Sequence, residues 1–225
     1  MNHPLDKPIW SALTTRQAHF ARGGDHARAF PADVSPFAAA CDDSETAVLA
    51  LAALVPHDAD ISLLEVAPPV APTVIEATQL AGVQMTLQKF PAGGPSHAII
   101  PLGDDDAAEM LALATLTNPG PFRARTHTMG SFVGIRDGAR VVAMGGERLA
   151  MDGFTEVTAL CTHPDYRGRG YGEALLRAVG QRILDAGRTP FLHVYASNTI
   201  AIALYERMGF TIRARVTHAI WKRAA

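Results

Sequence analysis

HPDYRGRGYGEALLRAVGQRIL (residues 163–184) sets three glycines and two arginines just ahead of a run with helical spacing. The residues before it, EVTALCT (156–162), read as a strand. Glycine serves where a backbone must approach a ligand or turn without a Cβ in the way. The first-turn amides of a helix, with its dipole, attract anions. Strand, glycine turn and helix together predict an anion at Gly168–Gly172, with Arg167 and Arg169 adding positive charge.

The common nucleotide motifs do not fit. A P-loop needs Lys-Ser/Thr after its last glycine, and Glu173 and Ala174 follow here. A dinucleotide fingerprint beginning at Gly168 has Glu173 where its last glycine belongs.

Outward from the loop, the chain has 225 residues, 48% of them apolar, and a formal charge of −2. That argues against nucleic acid as a partner held by the protein's net field. The RGRG repeat occurs once and is poor support for RNA binding. Cys41 and Cys161 lie far apart, so no metal site is expected, and two thiols suit a reducing compartment. MNHPLDKPIW lacks the apolar core of a signal peptide, and AVLALAALV (47–55) is too short to span a membrane. A cytoplasmic protein with no membrane partner is expected.

The chain reads as α/β, a mixed central sheet flanked by helices, with a smaller α/β segment at the N-terminus. FPAGGPSH (90–97) is the expected boundary between residues 1–95 and residues 97–225. Before it, helices are expected over 9–20, 44–55 (capped by Ser44) and 71–80, and strands over 61–66 and 83–90. After it come a strand (98–102), a helix (104–116), and a hairpin turning at Asp137-Gly138. FTEVTALCTHP, PFLHVYA and TIRARVTHAIW read as strands; SNTIAIALYERMGF reads as a helix.

Arg167-Gly168-Arg169-Gly170-Tyr171-Gly172 resembles the Arg/Gln-x-x-Gly-x-Gly/Ala signature of the GNAT superfamily of N-acetyltransferases. Asn198, Ala201, Leu204, Tyr205, Gly209 and Phe210 reproduce a second run of that family, and the element order after residue 97 matches as well. The resemblance implies transfer of an acetyl group from acetyl-CoA to a primary amine, by direct attack in a ternary complex. Arg167–Gly172 would bind the pyrophosphate, the backbone of Leu160, Cys161 and Thr162 would pair with the pantetheine amides, and Asn198 would contact the same arm. Tyr205 would protonate the departing thiolate, for which a phenol of pKa about 10 is suited.

The resemblance offers two residues as general base, Glu156 first and His193 second. Glu156 shares a polar strand face with Thr158 and Thr162, and that face also fits simple wetting. His193 titrates near neutrality, and a histidine bonded within the sheet is the plainer reading. Ordered water is the third possibility. Cys161 reads as a small buried residue rather than a nucleophile. Arg123 and Arg125, in the loop after the helix, could meet a carboxylate on a small-molecule or peptide amine. A catalytically inactive acyl-CoA sensor on the same fold is the alternative function. The part before residue 97 fits a degenerate partial copy of the fold, a lid, or the surface of a homodimer.

Overall fold

The computed structural model describes residues 3–73 and 75–224. The chain runs α1 (Pro8–Thr14), β1 (Arg22–Gly23), β2 (Ala27–Ala29), β3 (Ala38–Ala40), α2 (Glu45–Ala53), β4 (Ile61–Glu65), β5 (Ile75–Leu87) and β6 (Ile100–Leu102). It continues with α3 (Ala107–Thr117), β7 (Phe132–Asp137), β8 (Arg140–Met151), β9 (Phe154–Thr162), α4 (Tyr171–Asp185), β10 (Thr189–Tyr195), α5 (Thr199–Arg207) and β11 (Phe210–Arg223). β1–β3 form a small sheet. The other eight strands form one large sheet in the order β4-β11-β5-β10-β9-β8-β7-β6. Among the described strands of this sheet only β9 and β10 run parallel, joined through α4; every other neighbouring pair is antiparallel.

The large sheet is covered on both faces, as the alternation of β10 shows. Phe191 belongs to a cluster with Leu5, Ile9, Phe37, Leu64 and Val216, built around the N-terminal segment. Its neighbour Leu192 points the other way, into a cluster with Leu176, Val179 and Ile183 of α4 and Met208 and Phe210 beside α5. Each such side chain contributes about 1.5–3 kcal/mol when removed from water. Ser44 caps α2 through its Oγ, as expected, accepting from the Ala47 amide at 3.3 Å.

Three expectations change. Residues 71–80 were expected as a helix, but Ile75–Leu87 is a continuous strand. Its backbone groups pair with β11 from Arg223↔Ile75 to Phe210↔Leu87, and that ladder overrides the local pattern. The helix expected over 9–20 stops at Thr14 and resumes only as a short 3₁₀ turn at Ala18–Phe20. The stretch 90–97, expected to divide 1–95 from 97–225, connects β5 and β6 of the same sheet. Residues from both sides share one core, Leu5 and Ile9 packing with Leu149 and Phe191, so the division of packing does not fall there. Among the described residues no helix is long and apolar enough to cross a membrane.

Candidate active site

β9 and β10 pair only at Phe154↔Thr189, Thr155↔Pro190 and Glu156↔Phe191. Both strands continue past that point without meeting. Ala159 sits at φ +52°, a left-handed conformation costly for a residue with a Cβ, and β9 bends there. Between the parted strands lies a cleft of about 220 Å³, walled by Val157–Leu160 of β9, Leu192–Tyr195 of β10 and the loop Asn118–Pro121. Gly82 of β5 lets the strands close behind it: a Cβ there would meet Val194 O at 3.2 Å and Val216 Cγ2 at 3.3 Å.

The cleft passes through the sheet. Asn198, Ala201 and Tyr205 line it on the α5 side; Phe37, Arg148, Tyr195 and His218 line it on the side of the N-terminal segment. Asn198 also caps α5, its Oδ1 accepting from the Ala201 amide at 3.1 Å. Tyr205 is partly buried, and burial pushes its phenol up to about 12, so it stays protonated through neutral pH.

Glu156 is fully buried beneath the cleft. Arg148 donates Nε to its Oε2 at 2.8 Å and Nη2 to its Oε1 at 2.7 Å. The Leu149 amide donates to Oε2 at 3.3 Å, and His193 Nδ1 lies 2.7 Å from Oε1. These contacts fill the carboxylate's four acceptor positions. Burial works to raise its pKa, but the charge and hydrogen bonds of Arg148 outweigh it and hold the group at about 2.

His193 is equally committed. Gln84 Nε2 donates to the Leu5 carbonyl at 2.9 Å and Gln84 Oε1 accepts from Arg213 Nη1 at 2.8 Å, which fixes the amide's orientation. The same Nε2, a donor only, lies 2.9 Å from His193 Nε2. His193 therefore accepts at Nε2 and donates from Nδ1 to Glu156. Arg213 also pairs with Asp6, tying the chain to the N-terminal segment. The expected proton-accepting roles of Glu156 and His193 thus meet side chains with no acceptor to spare.

The loop of Arg167–Gly172 lies outside the cleft's lining. Gly168 and Gly170 take φ +76° and +77°, and Gly170 starts α4 with no side chain capping it. A Cβ at Gly170 would meet Pro95 at 3.3 Å, so the 90–97 connection rests on this turn. Arg167 and Arg169 are exposed, Arg169 lying 4.8 Å over the Tyr166 ring. The first amides of α4 thus start at a glycine with no side-chain cap, beside two exposed arginines.

Of Leu160, Cys161 and Thr162, only Leu160 lines the cleft. Cys161 packs against α3 beside Met110 and Leu113, and burial pushes its thiol up to about 11, as suits a core residue. Arg125 is bound to Asp33 at 3.2 Å, and neither it nor Arg123 reaches the lining. Arg148, Tyr195 and His218 were not singled out from the sequence. The available hint was a charge or an imidazole within a largely apolar strand, Arg148 in RVVAMGGERLA and His218 in TIRARVTHAIW. Among the described residues, no group of three or more His, Cys, Asp or Glu could hold a metal ion.

Residues 132–221 match the family described as FR47-like protein. The mycothiol acetyltransferase of Streptomyces avermitilis is 33% identical over 147 residues, 58% of this chain and 47% of that protein. The one from Streptomyces coelicolor is 31% identical over 155 residues, 62% and 48% of the two. The chain spans about half the length of the curated relatives it matches. A solved GNAT-family structure from Novosphingobium aromaticivorans, assigned as an acetyltransferase, aligns over 100% of both chains at 36% identity and TM-score 0.92. A GCN5-related N-acetyltransferase from Kribbella flavida shares the fold at 14% identity, with TM-score 0.65 over 97% of this chain and 94% of that one.

Proposed function

Since the chain belongs to the GNAT family of acetyltransferases, we propose that it moves an acetyl group from acetyl-CoA to a primary amine by direct attack within the β9–β10 cleft. The parting of those strands carries the reading. It leaves the β9 edge past Glu156 free of a β10 partner, so an extended, amide-bearing ligand can add to it as a strand would. The uncapped start of α4 and Arg167–Gly172 suit a diphosphate at the other end of such a ligand.

The roles follow from position. The thioester lies on the α5 side, near Tyr205 and Asn198, and the amine arrives from the side of the N-terminal segment. The C–N bond forms as the C–S bond breaks, and sulfur takes up a proton as nitrogen gives one up. Tyr205, held near 12 by burial, donates a hydrogen bond to the sulfur as charge grows there. Glu156 and His193 orient Arg148 and β10 rather than accept the substrate's proton. The residues before 97 build one wall of the acceptor side through Phe37 and Leu64.

Thermal shift with coenzyme A, followed by thiol release from acetyl-CoA over a panel of amines, tests the reading. A rise in melting temperature and amine-dependent thiol release are expected. No response to coenzyme A would refute it.

A further inference from the structure

The acceptor side of the cleft has a definite electrostatic character. Phe37, Leu64, Arg148, Tyr195, Val216 and His218 line it, and among the described lining residues none carries a carboxylate. The nearest acid, Glu156, is covered by Arg148, whose guanidinium also lies 4.6 Å over the Phe37 ring. His218 is 6% exposed. Its Nδ1 is 3.1 Å from the Tyr195 hydroxyl, and its Nε2 is buried with no hydrogen-bond partner. Burial first, then the charge of Arg148 on β8, lower its pKa to about 4 against the opposing charge of Asp60, with His193 on β10 also facing it. His218 is therefore neutral at physiological pH.

An ammonium group entering this chamber would shed its hydration beside Arg148 and meet no carboxylate. It would also need a base to remove its extra proton before it had a lone pair to attack with. Glu156 and His193 have no free acceptor, and His218 is too weakly basic. A neutral amine escapes both demands. Its nitrogen gives up one proton as the C–N bond forms, and sulfur takes up one as the C–S bond breaks. Amide and thiol together then carry the same protons as amine and thioester.

We propose that the acceptor is a weakly basic primary amine on an apolar body, which enters uncharged and donates an N–H to His218 Nε2. This rests on the acetyltransferase reading above. Phe37, Leu64 and Val216 receive the body, and the ring takes the tautomer with its proton on Nδ1, 3.1 Å from the Tyr195 hydroxyl, which leaves Nε2 as the acceptor.

Aniline and benzylamine test it, being alike in shape and far apart in basicity. The protein is ¹⁵N-labelled at histidine, loaded with coenzyme A at neutral pH, and the His218 ring resonances are assigned with His218→Gln. Aniline should move the Nε2 resonance and benzylamine should not. In the thiol-release assay aniline should be used about tenfold faster or more, with benzylamine gaining as rising pH deprotonates it. His218→Phe should raise KM for aniline about tenfold with coenzyme A binding unchanged, and His218→Gln should recover part of that loss. Melting curves establish that both variants fold. Preference for benzylamine at neutral pH overturns the proposal. So does a coenzyme A-loaded protein whose His218 resonances ignore both amines. Failure to bind coenzyme A at all overturns the acetyltransferase reading, and the proposal with it.

Discussion

Arg148 and Glu156 grip each other across the β8–β9 hairpin through two parallel hydrogen bonds of 2.8 and 2.7 Å, both side chains withdrawn from solvent. Arg148 lines the β9–β10 cleft with Glu156 beneath it, and the hydrogen bonds continue through His193 and Gln84 to the Leu5 carbonyl. The carboxylate of Glu156 is thus a junction of the fold beneath the cleft. Glu156→Gln places an amide N–H₂ against the guanidinium and leaves a buried cation unpaired. A loss of about 3–5 kcal/mol in denaturant unfolding is expected, whatever happens to turnover. Arg148→Met in the same chain should restore much of it. Wild-type stability in Glu156→Gln alone would show that the pair is not structural.

The same pair sets an acid limit. The folded pKa of Glu156, about 2, lies below its ordinary value of 4.5. A depressed carboxylate stabilises the fold above the unfolded value and loses that contribution as pH falls through the folded one. Stability measured by urea unfolding should therefore drop between about pH 4.5 and 2, in a step that the Glu156→Gln/Arg148→Met chain lacks.

Glu65 has the opposite sign. It ends β4 fully buried, with Lys7 Nζ at 3.4 Å and neither carboxylate oxygen hydrogen-bonded. Burial raises it from 4.5 to about 7. A carboxylate raised in the fold favours the folded state below its unfolded value and costs stability as pH climbs through the folded one. Glu65→Gln should therefore stabilise the protein at pH 8 by about 1–3 kcal/mol and change it little at pH 4. Lys7 keeps Asp43 at 2.9 Å in that variant. An equal effect at both pH values would refute the assignment.

The signals that were legible in the sequence are local ones. The Asp137-Gly138 turn, the glycines before α4 and the helical spacing of Leu175, Leu176, Val179 and Ile183 each depend on residues a few positions apart. The first half of β5 was not legible because its ladder partners, residues 218–223, lie more than a hundred positions away. The choice among Glu156, His193 and water as base was not legible from sequence either. Glu156 and His193 sit on suitable strands, but their hydrogen bonding depends on Arg148 across the β8–β9 hairpin and on Gln84 and Arg213, which lie more than a hundred positions from His193 and from Gln84 respectively. His218 gains its meaning only when β11 pairs with β4 and β5 and brings it to the cleft.

Gly170 offers a test of the proposed diphosphate site. Its φ of +77° suits glycine, and a Cβ there presses on Pro95 at 3.3 Å. Gly170→Ala carries the conformational cost of about 1–2 kcal/mol in stability. Gly170→Asp carries that cost and adds a negative charge where the diphosphate would sit. Isothermal titration should show coenzyme A binding weakened about tenfold further in the aspartate variant than in the alanine one. Equal affinities in the two variants would remove the loop from the binding site.

Tyr205 separates binding from chemistry. Its ring packs beside Phe210, with centroids 6.1 Å apart, so Tyr205→Phe keeps the aromatic body and loses only the hydroxyl. Under the proposed role at the sulfur, coenzyme A affinity and KM for the amine should hold while kcat falls about a hundredfold. Because the phenol stays protonated up to about 12, the wild-type rate should show no alkaline decline from this group between pH 7 and 10. A kcat unchanged in Tyr205→Phe would mean that the thiolate leaves unaided. The low basicity of the amine, rather than help to the leaving group, would then set the rate.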